Sequence, residues 1–172
     1  MEEKSAFVMI KFEHKDRFVS AYKELYSMDK VVSCDAVKGI YDLVLFLRAD
    51  NMEKCLEDIK KLDGIKEADF MPLIPHGSGD EHGKHKEKKT EKNRLLSSYV
   101  MVESDREKKE TVHRLLCSID TVKSCDSVEG KFDIILFMES ERFDDMDKVI
   151  KEQIKYMDGV LRIKECPVIS MF

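Results

Sequence analysis

The sequence has little of what several protein classes need. It contains no tryptophan and only three prolines and seven glycines among 172 residues. Its longest apolar runs, such as Leu43 to Leu47, are far too short to span a bilayer. The N-terminal stretch from Met1 to Lys4 lacks the basic and then apolar layout of a secretory signal. With 42% apolar residues the chain can bury a core, so we expect a folded protein that is neither secreted nor membrane-spanning.

The sequence also shows no pattern of paired cysteines and no large excess of one charge. The five cysteines are an odd number and form no CxxC motif, which favours a reduced, cytoplasmic setting over a disulfide framework. Thirty basic and 35 acidic side chains leave a net charge of −5, so the chain has no global attraction for nucleic acid or for an anionic membrane.

Sequence motifs of catalysis are absent as well. There is no glycine-rich phosphate loop, no HExxH and no GxSxG. The sequence therefore predicts no catalytic residues, no cofactor and no metal site.

An internal repeat decides the domain count. Residues 33–47, SCDAVKGIYDLVLFL, recur at 124–138 as SCDSVEGKFDIILFM, and the match continues on both sides. The intervening segment PHGSGDEHGKHKEKKT is rich in Gly, Lys, Glu and His and has no apolar residue to pack. We expect a first domain at 1–75, a His/Lys/Gly-rich linker at 76–95 and a second domain at 96–172.

Each half alternates strand and helix patterns in the order βαββαβ. Apolar residues at helical spacing follow Asp16 and again follow Asp50, where Glu53 would complete a capping box. In the second half, Ser104 with Glu107 would open the first helix. This order predicts an α+β fold made of two tandem ferredoxin-like modules, each with both helices on one face of a four-stranded antiparallel sheet.

The third strand of each module predicts how the modules pack. Tyr41, Leu43, Leu45 and Leu47 would point to one face, while Val44 and Phe46 would point to the other. A strand with one face in water should alternate with polar residues. We therefore expect the two sheets to pack face to face as a barrel-like pseudo-dimer, although a second chain could also cover the open face.

The turn before that strand resembles a known signature. Lys38-Gly39-Ile40-Tyr41-Asp42 and Glu129-Gly130-Lys131-Phe132-Asp133 are similar to the Gly-x-aromatic-Asp turn of Lrp/AsnC-type effector (RAM-like) domains, and Gly64-Ile65 and Gly159-Val160 fit the step after the second helix. The resemblance covers nearly all of both halves. It implies amino-acid sensing, oligomerisation and an effector site near this turn. No helix-turn-helix is expected, so direct DNA binding is not predicted.

The candidate ligand-binding residues follow from that resemblance. They are Lys38, Gly39, Tyr41 and Asp42 in the first half, and Glu129, Gly130, Phe132 and Asp133 in the second. Simpler interpretations are that the aspartates accept local backbone N–H groups and that the glycines supply positive φ.

Other polar residues have simple structural interpretations. Cys34 and Cys125 hold equivalent strand positions and are predicted to be structural, and Cys117 and His113 match no pattern. His76, His82 and His85 are predicted to be solvated linker residues that capture metal only weakly.

The sequence thus predicts a non-enzymatic regulatory module that binds a small effector such as an amino acid. It would act through homo-oligomers or through a partner transcription regulator. Two alternatives stay open, an enzyme that uses a ferredoxin-like α/β-barrel pocket and a purely structural assembly module.

Overall fold

The computed structural model describes residues 2–75 and 95–169. Except for Leu95, the linker predicted at 76–95 lies outside the described residues. The first half contains β1 (Lys4–Phe12), α1 (Phe18–Ser27), β2 (Val31–Ala36), β3 (Leu43–Ala49), α2 (Met52–Lys60) and β4 (Ile65–Pro72). The second half contains β5 (Leu96–Ser104), α3 (Lys109–Cys117), β6 (Val122–Ser127), β7 (Ile134–Ser140), α4 (Phe143–Lys148) and β8 (Val160–Pro167).

The strands form two four-stranded antiparallel sheets, one in each half. Their orders are β2-β3-β1-β4 and β6-β7-β5-β8. Each order puts the first and third strands of a half in the centre, as a ferredoxin-like βαββαβ module requires. The predicted α+β fold of two tandem modules is confirmed.

Both faces of β3 are buried, but in different cores. Leu43, Leu45 and Leu47 pack with the helices of the first half, whereas Val44 and Phe46 belong to a core between the two sheets. Tyr41 also lies in that inter-sheet core, on the face opposite to the predicted one. The reason is that β3 begins only at Leu43, so the alternation does not extend back to Tyr41.

The inter-sheet core is aromatic at its centre. The ring of Phe7 lies 5.1 Å from that of Phe46 and 6.4 Å from that of Tyr99, measured between centroids. Tyr99 in turn lies 5.0 Å from Phe137. Since Phe7 and Phe46 come from one half and Tyr99 and Phe137 from the other, these contacts pack the sheets face to face, as predicted.

Backbone pairing between the halves closes this sandwich at both edges. Val37 bridges to Val168, and Leu73 bridges to Val128. The residues just after β2 and β6 thus pair with those just after β8 and β4, respectively. This pairing satisfies edge groups that would otherwise be open to water.

The helix starts differ from the predicted ones. Asn51, not Asp50, caps α2, because its side-chain oxygen accepts the backbone N–H of Lys54 at 3.1 Å. Ser104 is the last residue of β5, and it is Asp105 whose carboxylate accepts the N–H of Glu107 at 3.0 Å.

After α4 the chain continues as a π-helix, Val149–Ile154. Within the residues described, no helix is long and apolar enough to cross a bilayer.

Candidate functional site

The two glycine turns that carry the predicted site residues dock one half against the other. Gly39 and Gly130 have φ of +114° and +126°, a region that side-chain-bearing residues rarely adopt. A Cβ at Gly39 would lie 2.9 Å from the carbonyl oxygen of Glu165, and one at Gly130 would lie 3.2 Å from that of Phe70. Each turn therefore sits against the last strand of the opposite half, where only glycine fits without displacement.

Lys38 and Glu129 add backbone bonds to this docking. The Lys38 N–H donates to the carbonyl oxygen of Pro167 at 2.9 Å, and the Glu129 N–H donates to that of Pro72 at 3.0 Å. Both side chains are exposed. These two residues thus join the halves through their main chain and leave their charged groups available to solvent.

The aromatic residues of the turns are buried between the sheets. The Tyr41 hydroxyl donates to Asp69 Oδ2 at 2.6 Å, and Lys131 Nζ from the other half lies 3.0 Å from the same oxygen. Burial and the hydrogen bond to Asp69 raise the pKa of Tyr41. Its counterpart Phe132 has no hydroxyl and instead packs under the guanidinium of Arg162, 5.2 Å from the ring centre.

The two aspartates each hold the end of a neighbouring strand. Asp42 Oδ2 accepts the backbone N–H of Phe12 at 2.8 Å, and Asp133 Oδ2 accepts that of Ser104 at 2.9 Å. Both bonds fall where the pairing register of β1 or β5 shifts by a residue. The carboxylates thus satisfy N–H groups at irregular strand ends.

A cleft of about 430 Å³ opens beside the turn of the second half. Of the predicted site residues, Glu129, Gly130 and Asp133 line it, whereas the other five do not. The rest of its lining was not predicted from the sequence. Those residues are Ile74, Glu103, Ser104, Arg106, Lys109 and Val128.

Two substitutions between the repeats distinguish this cleft from the corresponding place in the first half. Ser104 ends β5 and Lys109 begins α3, and in the first half the same positions hold Phe12 and Phe18. Those two rings pack edge to face with centroids 5.5 Å apart. In the first half, bulky rings thus occupy the positions that carry small or flexible polar side chains beside the cleft.

The cleft combines a buried hydroxyl with charges of both signs, two cations and the carboxylates of Glu103, Glu129 and Asp133. Ser104 is only 6% exposed, and its Oγ has no hydrogen-bond partner among the residues described. Arg106 and Lys109 supply two cations, while the Glu103 carboxylate pairs with Arg162 at 3.0 Å. Because an unpartnered buried hydroxyl costs free energy, it marks a place where a polar ligand atom can bind.

A second polar cluster, outside the cleft, joins α3 to β6. His113 and Cys117 lie one turn apart on α3, and Cys125 lies on β6. Their ligand-type atoms all fall within 4.8 Å of one another. The hydrogen bond with Cys125 lowers the pKa of the Cys117 thiol below its usual value, and the same bond raises the pKa of Cys125. The only sequence signal for this cluster was the His-x3-Cys spacing, because Cys125 joins it through the fold.

A family model matches both halves of the chain. The model of the Lrp/AsnC ligand-binding domain covers residues 5–72 and 97–172. The chain belongs to this family. The resemblance in the glycine turns is thereby confirmed, and the two Lrp/AsnC domains correspond to the two modules of the fold. A comparison with curated protein sequences gave no significant match.

Several solved structures that align with nearly the whole chain carry the names of enzymes or enzyme-like proteins. The siroheme decarboxylase NirDL aligns with 98% of this chain and 72% of its own, at 9% identity and a TM-score of 0.76. NirDL in complex with an iron-uroporphyrin III analogue aligns equally well, at 8% identity. An anthrone oxidase-like protein aligns with 99% of this chain and 92% of its own, at 7% identity and a TM-score of 0.58.

These neighbours overturn two predictions, that the protein is a non-enzymatic sensing module and that it is not an enzyme. Two proteins whose structures align with 98% and 99% of this chain are named as a decarboxylase and an oxidase-like protein. They favour the enzyme alternative. The prediction failed because the sequence pattern reports the fold, and the same fold carries unrelated functions.

Proposed function

We propose that the protein is an enzyme that acts on a carboxylate-bearing, conjugated ring compound such as a porphyrin, and that the reaction is a decarboxylation. The cleft of the second Lrp/AsnC domain would be its active site. The likeness to NirDL over 98% of this chain supports the enzyme class, and the cleft chemistry supports the carboxylate.

The observation that carries the proposal is the set of Ser104, Arg106 and Lys109 around one cleft. The buried Ser104 hydroxyl can donate to a carboxylate oxygen, and the two cations can neutralise its charge. Charge-assisted hydrogen bonds of this kind are about twice as strong as neutral ones. A carboxylate is therefore the ligand group that best satisfies the three side chains together.

The size of the cleft limits how a substrate would sit. A volume of about 430 Å³ is in the lower part of the range for small-molecule sites. It suits one edge of a porphyrin with its carboxylate substituents. The remainder of the ring would lie outside the cleft, near the exposed Glu129 side chain.

The chemical step needs few protein groups. Decarboxylation breaks the bond between the carboxyl carbon and its neighbour, releases CO2, and leaves an electron pair that the conjugated ring accepts until a proton arrives. Arg106 and Lys109 would hold a carboxylate that is retained. The leaving carboxylate would face the apolar side chains of Ile74 and Val128, where its charge is disfavoured. Solvent water at the open side of the cleft, next to the exposed Glu129 side chain, would supply that proton.

The experiment is to measure CO2 release and product formation with siroheme and with uroporphyrin III. The test variant carries Ser104→Phe and Lys109→Phe, which introduces the residues that the first half has at these positions. We expect turnover by the wild type and its loss in the variant, with the fold retained by circular dichroism. Lys109→Gln alone should reduce kcat/KM about 10- to 100-fold through loss of one charged hydrogen bond.

Lys148→Gln on α4 is the matched control, because it removes the same charge from a residue that does not line the cleft. It should leave turnover unchanged. Equal turnover in wild type and the double-phenylalanine variant would contradict the proposed active site. No CO2 release from either substrate would contradict the proposed reaction.

A further inference from the structure

The cluster of His113, Cys117 and Cys125 has the composition of a transition-metal site. We propose that these three side chains bind a divalent transition metal, with zinc as the preferred ion. Two cysteine sulfurs and one imidazole nitrogen are ligands that zinc accepts together, and softer ligand sets of this kind disfavour magnesium and calcium. This site is separate from the cleft, and none of its residues lines that cleft.

The distances suit tetrahedral coordination. Sulfur and nitrogen ligands at the usual zinc bond lengths lie about 3.6 Å apart in a tetrahedron. Cys117 Sγ lies 3.9 Å from His113 Nδ1 and 3.7 Å from its Nε2. With all three ligand atoms within 4.8 Å, shifts of a few tenths of an ångström to about 1 Å would close the site around an ion.

The surroundings already orient the histidine as a ligand. His113 Nε2 lies 3.0 Å from the carbonyl oxygen of Cys125. With the proton on Nε2, this nitrogen donates to the carbonyl, and Nδ1, which lies 3.9 Å from Cys117 Sγ, carries the lone pair that would bind the ion. Metal-bound histidines commonly donate their second N–H to a backbone carbonyl in this way, which holds the ring and its tautomer.

The repeat provides an internal comparison. The positions of His113, Cys117 and Cys125 are occupied in the first half by Tyr22, Tyr26 and Cys34. That set has a single thiol and two aromatic rings, which stack with centroids 5.9 Å apart. Where the first half has two stacked tyrosines, the second half thus has a histidine and a cysteine, both close to Cys125.

Three protein ligands leave one coordination position open. Cys117 is exposed, so solvent reaches the site from that side. Zinc sites with three protein ligands and an open position bind water or another exchangeable ligand. Because the ligands come from α3 and β6, the ion would also tie this helix to the edge strand of its sheet.

The test is a cobalt(II) titration followed by zinc competition, since cobalt reports thiolate ligands by a charge-transfer absorption band in the near ultraviolet. The titration uses the full chain with His76, His82 and His85 changed to serine, so that these three histidines cannot bind the added metal. We expect one cobalt ion per chain with a thiolate band, displacement of cobalt by zinc, and a rise in melting temperature on zinc binding.

Cys117→Ser removes the thiolate ligand that α3 supplies. Loss of a group that only hydrogen-bonds to a metal ligand already costs 10- to 100-fold in affinity, so loss of the ligand itself should weaken zinc binding by at least about 100-fold. His113→Gln should weaken it while keeping the thiolate band. The matched control is Cys34→Ala, which removes the equivalent thiol of the first half and should change neither band nor affinity. A folded protein without a thiolate band, or unchanged zinc affinity in Cys117→Ser, would overturn the proposal.

Discussion

At the residue scale, single differences between the repeats decide what each half can do. Tyr99 is a clear example, because its counterpart in the first half is Phe7. The Tyr99 hydroxyl donates to Asp35 Oδ2 of the opposite half at 2.5 Å. One oxygen atom thus converts a purely apolar contact between the sheets into a directed polar one.

This contact predicts how stability depends on pH. Burial, and then the Asp35 carboxylate, raise the pKa of Tyr99 well above its usual value. A raised pKa in the folded state adds stability that is present in full below the unfolded value of about 10 and is lost as the pH rises above it. Tyr99→Phe should therefore cost about 1–3 kcal/mol at neutral pH, and its unfolding free energy should fall less between pH 10 and 11 than that of the wild type.

Urea unfolding at pH 8, 10 and 11 measures both quantities. Tyr156→Phe is the control, because Tyr156 is 76% exposed and its hydroxyl should not matter. Coincident curves for the wild type and Tyr99→Phe would show that the hydroxyl contributes nothing, and parallel curves with an offset would show that its ionisation does not affect stability.

The candidate site was predictable only where a residue type carries its own conformational signal. Gly39 and Gly130 stood out in the sequence because their turns need positive φ, and both turns are where the halves meet. Ser104 and Lys109 carried no such signal. Their importance depends on Phe12 and Phe18 in the other half and on a cleft that forms only in three dimensions.

At the element scale, burial made the strands and helices predictable and single hydrogen bonds made their ends unpredictable. The apolar alternation in β3 follows from two buried faces, so it is visible in the sequence. A helix cap depends on one side-chain bond, and Asp50 and Asn51 are both good cap residues. Only the backbone geometry selects Asn51.

The cap of α2 gives a test at this scale. Asn51→Ala should lower the unfolding free energy by about 0.5–2 kcal/mol, because the N–H of Lys54 loses its acceptor. Asp50→Ala, at the position that the sequence favoured, should cost much less. Chemical denaturation of the two variants measures the difference, and a larger loss for Asp50→Ala would mean that the sequence-based cap is the true one.

At the scale of the whole molecule, the two halves form one closed unit with unequal ends. The face-to-face packing followed from strands that are apolar on both sides. The Cys/His cluster, and every residue that lines the cleft except Ile74, belong to the second half. Both candidate sites thus rely mainly on residues of the second copy. The other copy keeps aromatic residues at the corresponding points.

The proposed function requires that the carboxylate-bearing substrate bind in the cleft beside the glycine turn of the second domain. The most direct measurement is a titration of isotope-labelled protein with uroporphyrin III, followed by amide NMR, since the ring current of a porphyrin shifts the signals of nearby amides. We expect shifts centred on Ser104, Gly130 and the first turn of α3, which disappear in the variant with Ser104→Phe and Lys109→Phe. Shifts centred on Gly39 and Phe12, or no shifts at all, would contradict it.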